Sequence, residues 1–184
     1  MVTNIFVSKI FNDRKDAGRF LASKLTQYRN RNDVVVLGVP RGGVAVAYEV
    51  AKALNAPLDI FLVKKLGVPG FEEYARLYCG AHNPLDVTGQ TVILVDDGMA
   101  TGATMRAAVR ALRKKNPRKI VIAVPVGERE VCNSFNREVD TVVVCATTPK
   151  PFKAIDILYR NFAETTDAEV QQLLSQTWHA KAAA

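Results

Sequence analysis

The chain reads as a single α/β domain: a parallel sheet of about five strands with helices on both faces. Three observations predict this. Apolar, β-branched runs such as Val34-Val35-Val36-Leu37 and Val92-Ile93-Leu94-Val95 carry no polar alternation, as a strand covered on both faces requires. Segments of helical period separate these runs, so strand and helix alternate along the chain. Small-residue loops follow directly on two of the strands, and right-handed crossovers bring such loops to one edge of the sheet.

Taken in order, residues 13–28 place Ala17, Phe20, Leu21, Leu25 and Tyr28 on one helical face. Residues 33–39 form the first strand and run into Pro40-Arg41-Gly42-Gly43, with a helix at 44–54 ended by Asn55 and Pro57. The second strand, 58–63, ends at Lys64-Lys65. Residues 66–88 hold Gly67, Pro69, Gly70, Gly80, Asn83 and Pro84, a composition that resists regular structure. A third strand at 91–95 leads into a helix at 101–116. Strand 119–124, Pro125-Val126-Gly127, a helix at 128–138 and strand 141–145 complete a core spanning 31–148. Beyond it, within 149–180, Phe152, Ile155, Leu158, Tyr159 and Phe162 form an aromatic-rich stripe. A terminal helix at 167–178 is capped by Thr166 or Asp167.

At 184 residues the chain has the size of one domain, 1–184. A net charge of +7 favours acidic partners, phosphorylated small molecules or nucleic acid, without choosing between them. The densest basic run, Arg113 to Lys119, falls where a helix ends and reads as a solvated C-terminus rather than a nucleic-acid patch. Cys79, Cys132 and Cys145 lack paired spacing, and His82 and His179 stand apart, so neither disulfides nor a zinc site are expected. Met1 to Lys9 does not have the pattern of a secretory leader, and no apolar run is long enough for a bilayer. A cytoplasmic protein without a membrane partner is the expectation.

The chemistry concentrates in the stretch from Thr91 to Met105. Asp96 and Asp97 leave a buried strand at its C-terminal end, where α/β sheets bind ligands. Carboxylates there suit sugar hydroxyls or metal-bound water and repel a phosphate set directly against them. Gly98, Ala100, Gly102 and Ala103 admit a close ligand, and Thr101 and Thr104 add hydroxyls where the next helix opens. A diol site thus lies beside a monophosphate site. Pro40-Arg41-Gly42-Gly43 offers backbone N–H groups next to a cation and reads as a second anion site. Each fragment alone also fits an ordinary turn or cap; the ordered combination is the specific feature.

The stretch from Thr91 to Met105 resembles the signature by which type I phosphoribosyltransferases bind 5-phosphoribosyl 1-pyrophosphate. The resemblance implies that Asp96 and Asp97 contact the ribose 2- and 3-hydroxyls, while Gly98, Met99, Ala100, Thr101, Gly102, Ala103 and Thr104 hold the 5-phosphate. Arg41, Gly42 and Gly43 would hold the pyrophosphate, with a cis peptide at Pro40-Arg41. Lys64 and Lys65 would assist, so that Arg41, Lys64 and Lys65 serve the leaving group. The loop at 65–89 would close as a lid, and Phe152 or Tyr159 would stack on an acceptor base. Mg²⁺ would arrive with the pyrophosphate rather than sit in a dedicated protein cage. The implied reaction transfers ribose 5-phosphate to a nitrogen acceptor, and the implied assembly is a homodimer that does not bind nucleic acid. Asp97, as an exposed strand-end acid, is expected to add little to folding. Stand-alone proteins of this kind carry further residues between segments like 65–70 and 77–80, whereas here the two meet near Ala75-Arg76.

Alternatives follow from the same residues. A non-catalytic donor-binding regulator would keep both loops and use the positive charge for nucleic acid. A dinucleotide-binding oxidoreductase needs G-x-G-x-x-G after the first strand, which Gly38-Val-Pro-Arg-Gly-Gly does not match. A phosphoryl-transfer enzyme built on Asp96-Asp97 lacks a P-loop lysine motif.

Overall fold

A computed structural model describes residues 11–62, 76–78, 83–148 and 155–182. Among these residues β1 (Val34–Gly38), β2 (Leu58–Ile60), β3 (Thr91–Val95), β4 (Lys119–Glu128) and β5 (Thr141–Thr148) form one sheet, ordered β2-β1-β3-β4-β5. Every pairing in it is parallel. The expected class and its five strands are therefore present.

Helices lie on both faces, and strand side chains alternate between them. On one face Val34, Val36, Ile93 and Val95 pack with Leu21 of α1 (Arg14–Ala22), Val50 of α2 (Gly42–Leu54) and Leu174 of α5 (Asp167–Ala182). On the other, Val35, Leu37, Val92 and Leu94 meet Met105 and Leu112 of α3 (Ala103–Arg113) and Cys132 of α4 (Arg129–Ser134). Burial on both faces explains why these strands lack polar alternation. No helix of the described residues is long and apolar enough to cross a membrane.

Several element ends differ from the sequence expectation. The first helix stops at Ala22, and a 3₁₀ turn at Thr26–Tyr28 carries the rest of the predicted apolar face inward, with Leu25 fully buried. Ser23 contributes to that stop: its hydroxyl donates to the Phe20 carbonyl at 2.7 Å. β4 does not end at Pro125. Its ladder with β5 pairs Val124 with Val144, passes over the proline and resumes with Val126 and Ala146, because one missing N–H removes one rung and leaves the register intact. The helix expected at 128–138 divides into α4 and a 3₁₀ turn at Phe135–Arg137. α5 is capped by Thr166, whose Oγ1 accepts from Glu169 N while Glu169 Oε2 accepts from Thr166 N, a reciprocal capping box.

Residues 83–89, the described end of the expected lid span 65–89, are anchored by Asp59. This β2 residue is 2% exposed; its Oδ1 accepts from Ile60 N at 2.8 Å and its Oδ2 from Leu85 N at 2.9 Å. Asp59→Ala leaves both N–H groups without that acceptor and is expected to cost about 3 kcal/mol in urea denaturation. A change under about 0.5 kcal/mol would mean that the carboxylate is dispensable to the fold.

Candidate functional site

The site forms because β1 and β3 are adjacent parallel strands whose ends coincide, Gly38 opposite Val95. Val39 N continues the ladder by donating to the Val95 carbonyl at 2.9 Å. The Pro-Arg-Gly-Gly loop and the acid pair therefore leave the sheet side by side. Gly42 and Gly43 permit the contact. A Cβ on Gly43 would lie 2.8 Å from Asp96 Cα and 2.9 Å from its Oδ1, and one on Gly42 would overlap Asp97 Oδ2. The peptide between Pro40 and Arg41 is cis, at the position expected from the sequence.

The two acids are both half-buried, but their surroundings differ. Asp96 Oδ1 accepts from Asp97 N at 2.9 Å. Burial pushes the Asp96 carboxyl well above the usual carboxylate range; the Asp97 charge and a side-chain bond to Asp97 add to the rise, against the opposing backbone bond from Asp97 and the charge of Arg14. Asp97 is ion-paired: its Oδ2 accepts from Arg14 Nε at 2.8 Å, and the two side chains are 14% and 12% exposed. The expectation of an exposed, structurally idle Asp97 is corrected on this point. Tyr159 closes the group by donating its hydroxyl to the Asp97 carbonyl at 2.7 Å.

The loop from Gly98 onward forms the wall of a cleft of about 190 Å³, lined by residues 96–105 and Ile155. Met99 pins this loop to β4: its N donates to the Val126 carbonyl at 2.8 Å and its carbonyl accepts from Glu128 N at 2.9 Å. Its side chain lies in the core, 2% exposed. Gly102 has φ of 72° and no room for a Cβ, which would sit 2.7 Å from Val131 Cγ1 and 2.9 Å from Phe135 Cε2. A Cβ on Gly98 would lie 2.6 Å from Ile155 Cγ2. Both glycines thus serve packing of the loop. Thr101 and Ala103 are exposed, and Thr104 is half-buried. The first N–H groups of α3 have no partner within the helix, so the cleft receives its positive end.

Arg41 Nη2 pairs with Glu164, and its Nη1 lies 3.9 Å from Asp167 Oδ1. Tyr78 donates its hydroxyl to Asp167, and Gln171 Nε2 donates to the Leu77 carbonyl at 2.6 Å. Start and flank of α5 thus meet both the Pro-Arg-Gly-Gly loop, the first of the two loops in chain order, and residues 76–78. Lys64, Lys65 and Phe152 lie outside the described residues. Tyr159, expected as an alternative stacking platform, is instead core. It is 6% exposed, its ring lies 4.9 Å from that of Phe162 and 5.7 Å from that of Phe11, and Ile155 takes the place on the cleft wall. Among the described residues no group of three or more His, Cys, Asp or Glu is placed to hold a metal.

The family described as the phosphoribosyl transferase domain matches residues 7–157. The chain belongs to that family. A putative phosphoribosyl transferase of Mycobacterium tuberculosis (strain ATCC 25618 / H37Rv) is 39% identical over 210 residues, covering 91% of this chain and 47% of that one. That span exceeds the 184 residues present here, so the alignment opens gaps in this chain. The chain spans about half the length of the curated relatives it matches first. A bifunctional protein PyrR of Roseiflexus sp. (strain RS-1) is 34% identical over 65% of this chain and 73% of its own length. Among solved structures, TT1426 from Thermus thermophilus superposes with a TM-score of 0.78 at 32% identity, covering 91% of this chain and 98% of its own.

For this phosphoribosyl transferase domain, sequence reasoning missed Arg14. It lies 83 positions from its partner in an ordinary amphipathic helix, and no local pattern marks it.

The acid pair predicts opposite effects on folding. Because the native Asp96 carboxyl titrates above its reference value of 3.8, its contribution to stability is complete below that pH and is lost as pH rises through the raised native value. Asp96→Asn keeps an acceptor for Asp97 N and replaces the acidic hydrogen by an amide donor. It is expected to raise the ligand-free melting temperature at pH 7 and to remove this part of the pH dependence. Asp97→Asn discharges the partner of Arg14 and is expected to lower stability by about 2 kcal/mol. Thermal melts of both variants from pH 4 to pH 8 check the contrast; a fall with Asp96→Asn would contradict it.

Proposed function

We propose that this domain uses 5-phosphoribosyl 1-pyrophosphate as donor and transfers ribose 5-phosphate to a nitrogen acceptor, the ring nitrogen of a nucleobase, with release of pyrophosphate. The observation that carries the reading is the juxtaposition of two anion loops on one sheet edge, with Asp96 and Asp97 between them. A donor with a phosphate at one end, a diol in the middle and a pyrophosphate at the other matches that order. The loop from Gly98 to Thr104 and the start of α3 hold the 5-phosphate, and Asp96 and Asp97 accept from the ribose hydroxyls. Arg41, Gly42 and Gly43 receive the pyrophosphate, together with Lys64 and Lys65 from the lid span 65–89.

In the reaction the acceptor nitrogen attacks C1 as the bond from C1 to the pyrophosphate oxygen breaks, with inversion. The electron pair leaves with the pyrophosphate, and the proton that the acceptor nitrogen loses passes to water. Catalysis by the protein is then a matter of orientation, charge stabilisation at the leaving group and exclusion of water. Two adjacent carboxylates, one of them made hard to ionise by burial and its neighbour, fit a donor that brings hydroxyls or metal-bound water. Mg²⁺ bound with the donor supplies positive charge to the departing pyrophosphate. Asp96 and Asp97 are the carboxylates that can accept from its water ligands.

The pyrophosphate must take Arg41 from Glu164 and Asp167. These pairs are exposed and cost roughly 0–1 kcal/mol to exchange. A second reading, a donor-binding regulator without turnover that uses the net charge of +7 for nucleic acid, keeps the same two loops.

Pyrophosphate release from the donor and Mg²⁺, measured across a panel of purine and pyrimidine bases, separates the two. Release with at least one base is expected, and donor binding without release from any would leave the regulator. Glu164→Gln frees Arg41 and is expected to tighten donor binding by about threefold in calorimetry; weaker binding would mean that Glu164 itself serves the site.

A further inference from the structure

Arg14 lies at a junction of four parts of the chain. Its Nε donates to Asp97 Oδ2 at 2.8 Å and its Nη1 to the Ala163 carbonyl at 2.6 Å, and its guanidinium carbon lies 3.8 Å from the centroid of the Phe162 ring. A Cβ on Gly42 would come within 2.7 Å of the same Nε. The guanidinium therefore touches the first anion loop, the acid pair and the segment that precedes α5. That segment is itself fastened to the start of α1: Phe11 N donates to the Leu158 carbonyl at 2.8 Å, and Arg160 N donates to the Phe11 carbonyl at 2.8 Å.

We propose that Arg14 is a positioning residue for the phosphoribosyl donor: it fixes the Asp97 carboxylate against Gly42 and offsets its charge, so that the acid pair can receive an anionic donor. This rests on the donor reading above and adds a residue that lies outside both loop motifs. Asp96 and Asp97 are adjacent, and the donor carries phosphates at both ends. Without a cation at Asp97 the cleft would present an uncompensated carboxylate to an anion. Arg14 supplies that cation from a side chain 12% exposed, where solvent screens it little. Its second bond has a further consequence. Ala163 is held by Arg14 and the next residue, Glu164, pairs with Arg41, so two arginines from different elements grip consecutive residues of one strap. Arg14 thereby sets how far Glu164 can follow or release Arg41. A guanidinium suits this position better than an ammonium, because its planar fork bonds a carboxylate and a carbonyl while its face stacks on an aromatic ring.

The test is donor affinity, with Mg²⁺ present, for wild type, Arg14→Met, Arg14→Lys, Asp97→Asn and the double variant Arg14→Met/Asp97→Asn, alongside thermal melts. Arg14→Met is expected to weaken donor binding at least about tenfold at a temperature where it remains folded, and Arg14→Lys, which keeps the charge but not the planar fork, to recover part of that loss. In the Asp97→Asn background the Arg14→Met step is expected to lose most of its effect, since the residue acts through Asp97. Should Arg14→Met not fold, Arg14→Gln, which keeps a donor for Oδ2 without the charge, takes its place. Wild type that binds while the Met or Gln variant binds equally well overturns the role of Arg14 and leaves the donor reading standing. Lower melting temperature with unchanged affinity, or an equal loss in the Lys variant, assigns Arg14 to packing and likewise overturns the inference. Failure of wild type to bind the donor removes the donor reading itself.

Discussion

The parallel pairing of β1 with β3 is the constraint on which the rest of the site depends. Because Gly38 lies opposite Val95, the two strands end at the same level and their loops must share one space. That space accommodates two acids only because residues 42 and 43 bring no Cβ into it. A shift of register by one residue would turn the alternating side chains of a strand to the wrong face, and both cores, one beneath α1, α2 and α5 and the other beneath α3 and α4, oppose such a shift.

Electrostatics sets the second condition. The chain as a whole carries a charge of +7, yet two neighbouring carboxylates stand on the wall of the cleft. Burial and mutual repulsion make Asp96 reluctant to ionise, so the acid pair carries a local cost in folding. Arg14 offsets the other acid from a helix remote in sequence. Folding stability and the charge of the cleft are therefore coupled through a few side chains.

Much of this was legible in the residues. The uninterrupted apolar runs foretold strands buried on both faces, and the acid pair with its small-residue loop marked a strand end where a cleft lies. Asn55, with φ of 54°, ends α2 where the sequence placed its stop. Within the run from Arg113 to Lys119, Arg113 Nη2 donates to the Glu138 carbonyl at 3.1 Å, and Arg118 pairs with Asp33. What was not legible depended on tertiary contact. Local pattern could not reveal that Pro125 removes one rung without ending β4, because that depends on the ladder either side of it. It could not distinguish a stacking Tyr159 from a core one, since the same aromatic stripe serves both, and it could not pair Arg14 with Asp97 across 83 positions. The glycines at 98 and 102 were read for ligand approach, whereas Ile155, Val131 and Phe135 occupy the space their side chains would need.

The central claim is that both loops hold one donor at the same time. Phosphorus NMR of 5-phosphoribosyl 1-pyrophosphate with Mg²⁺ tests this most directly, because its 5-phosphate and its two pyrophosphate phosphorus atoms give separate signals. Added protein should shift or broaden all of them with a single binding isotherm. Perturbation of the 5-phosphate alone, or of the pyrophosphate alone, would mean that the two loops do not form one pocket.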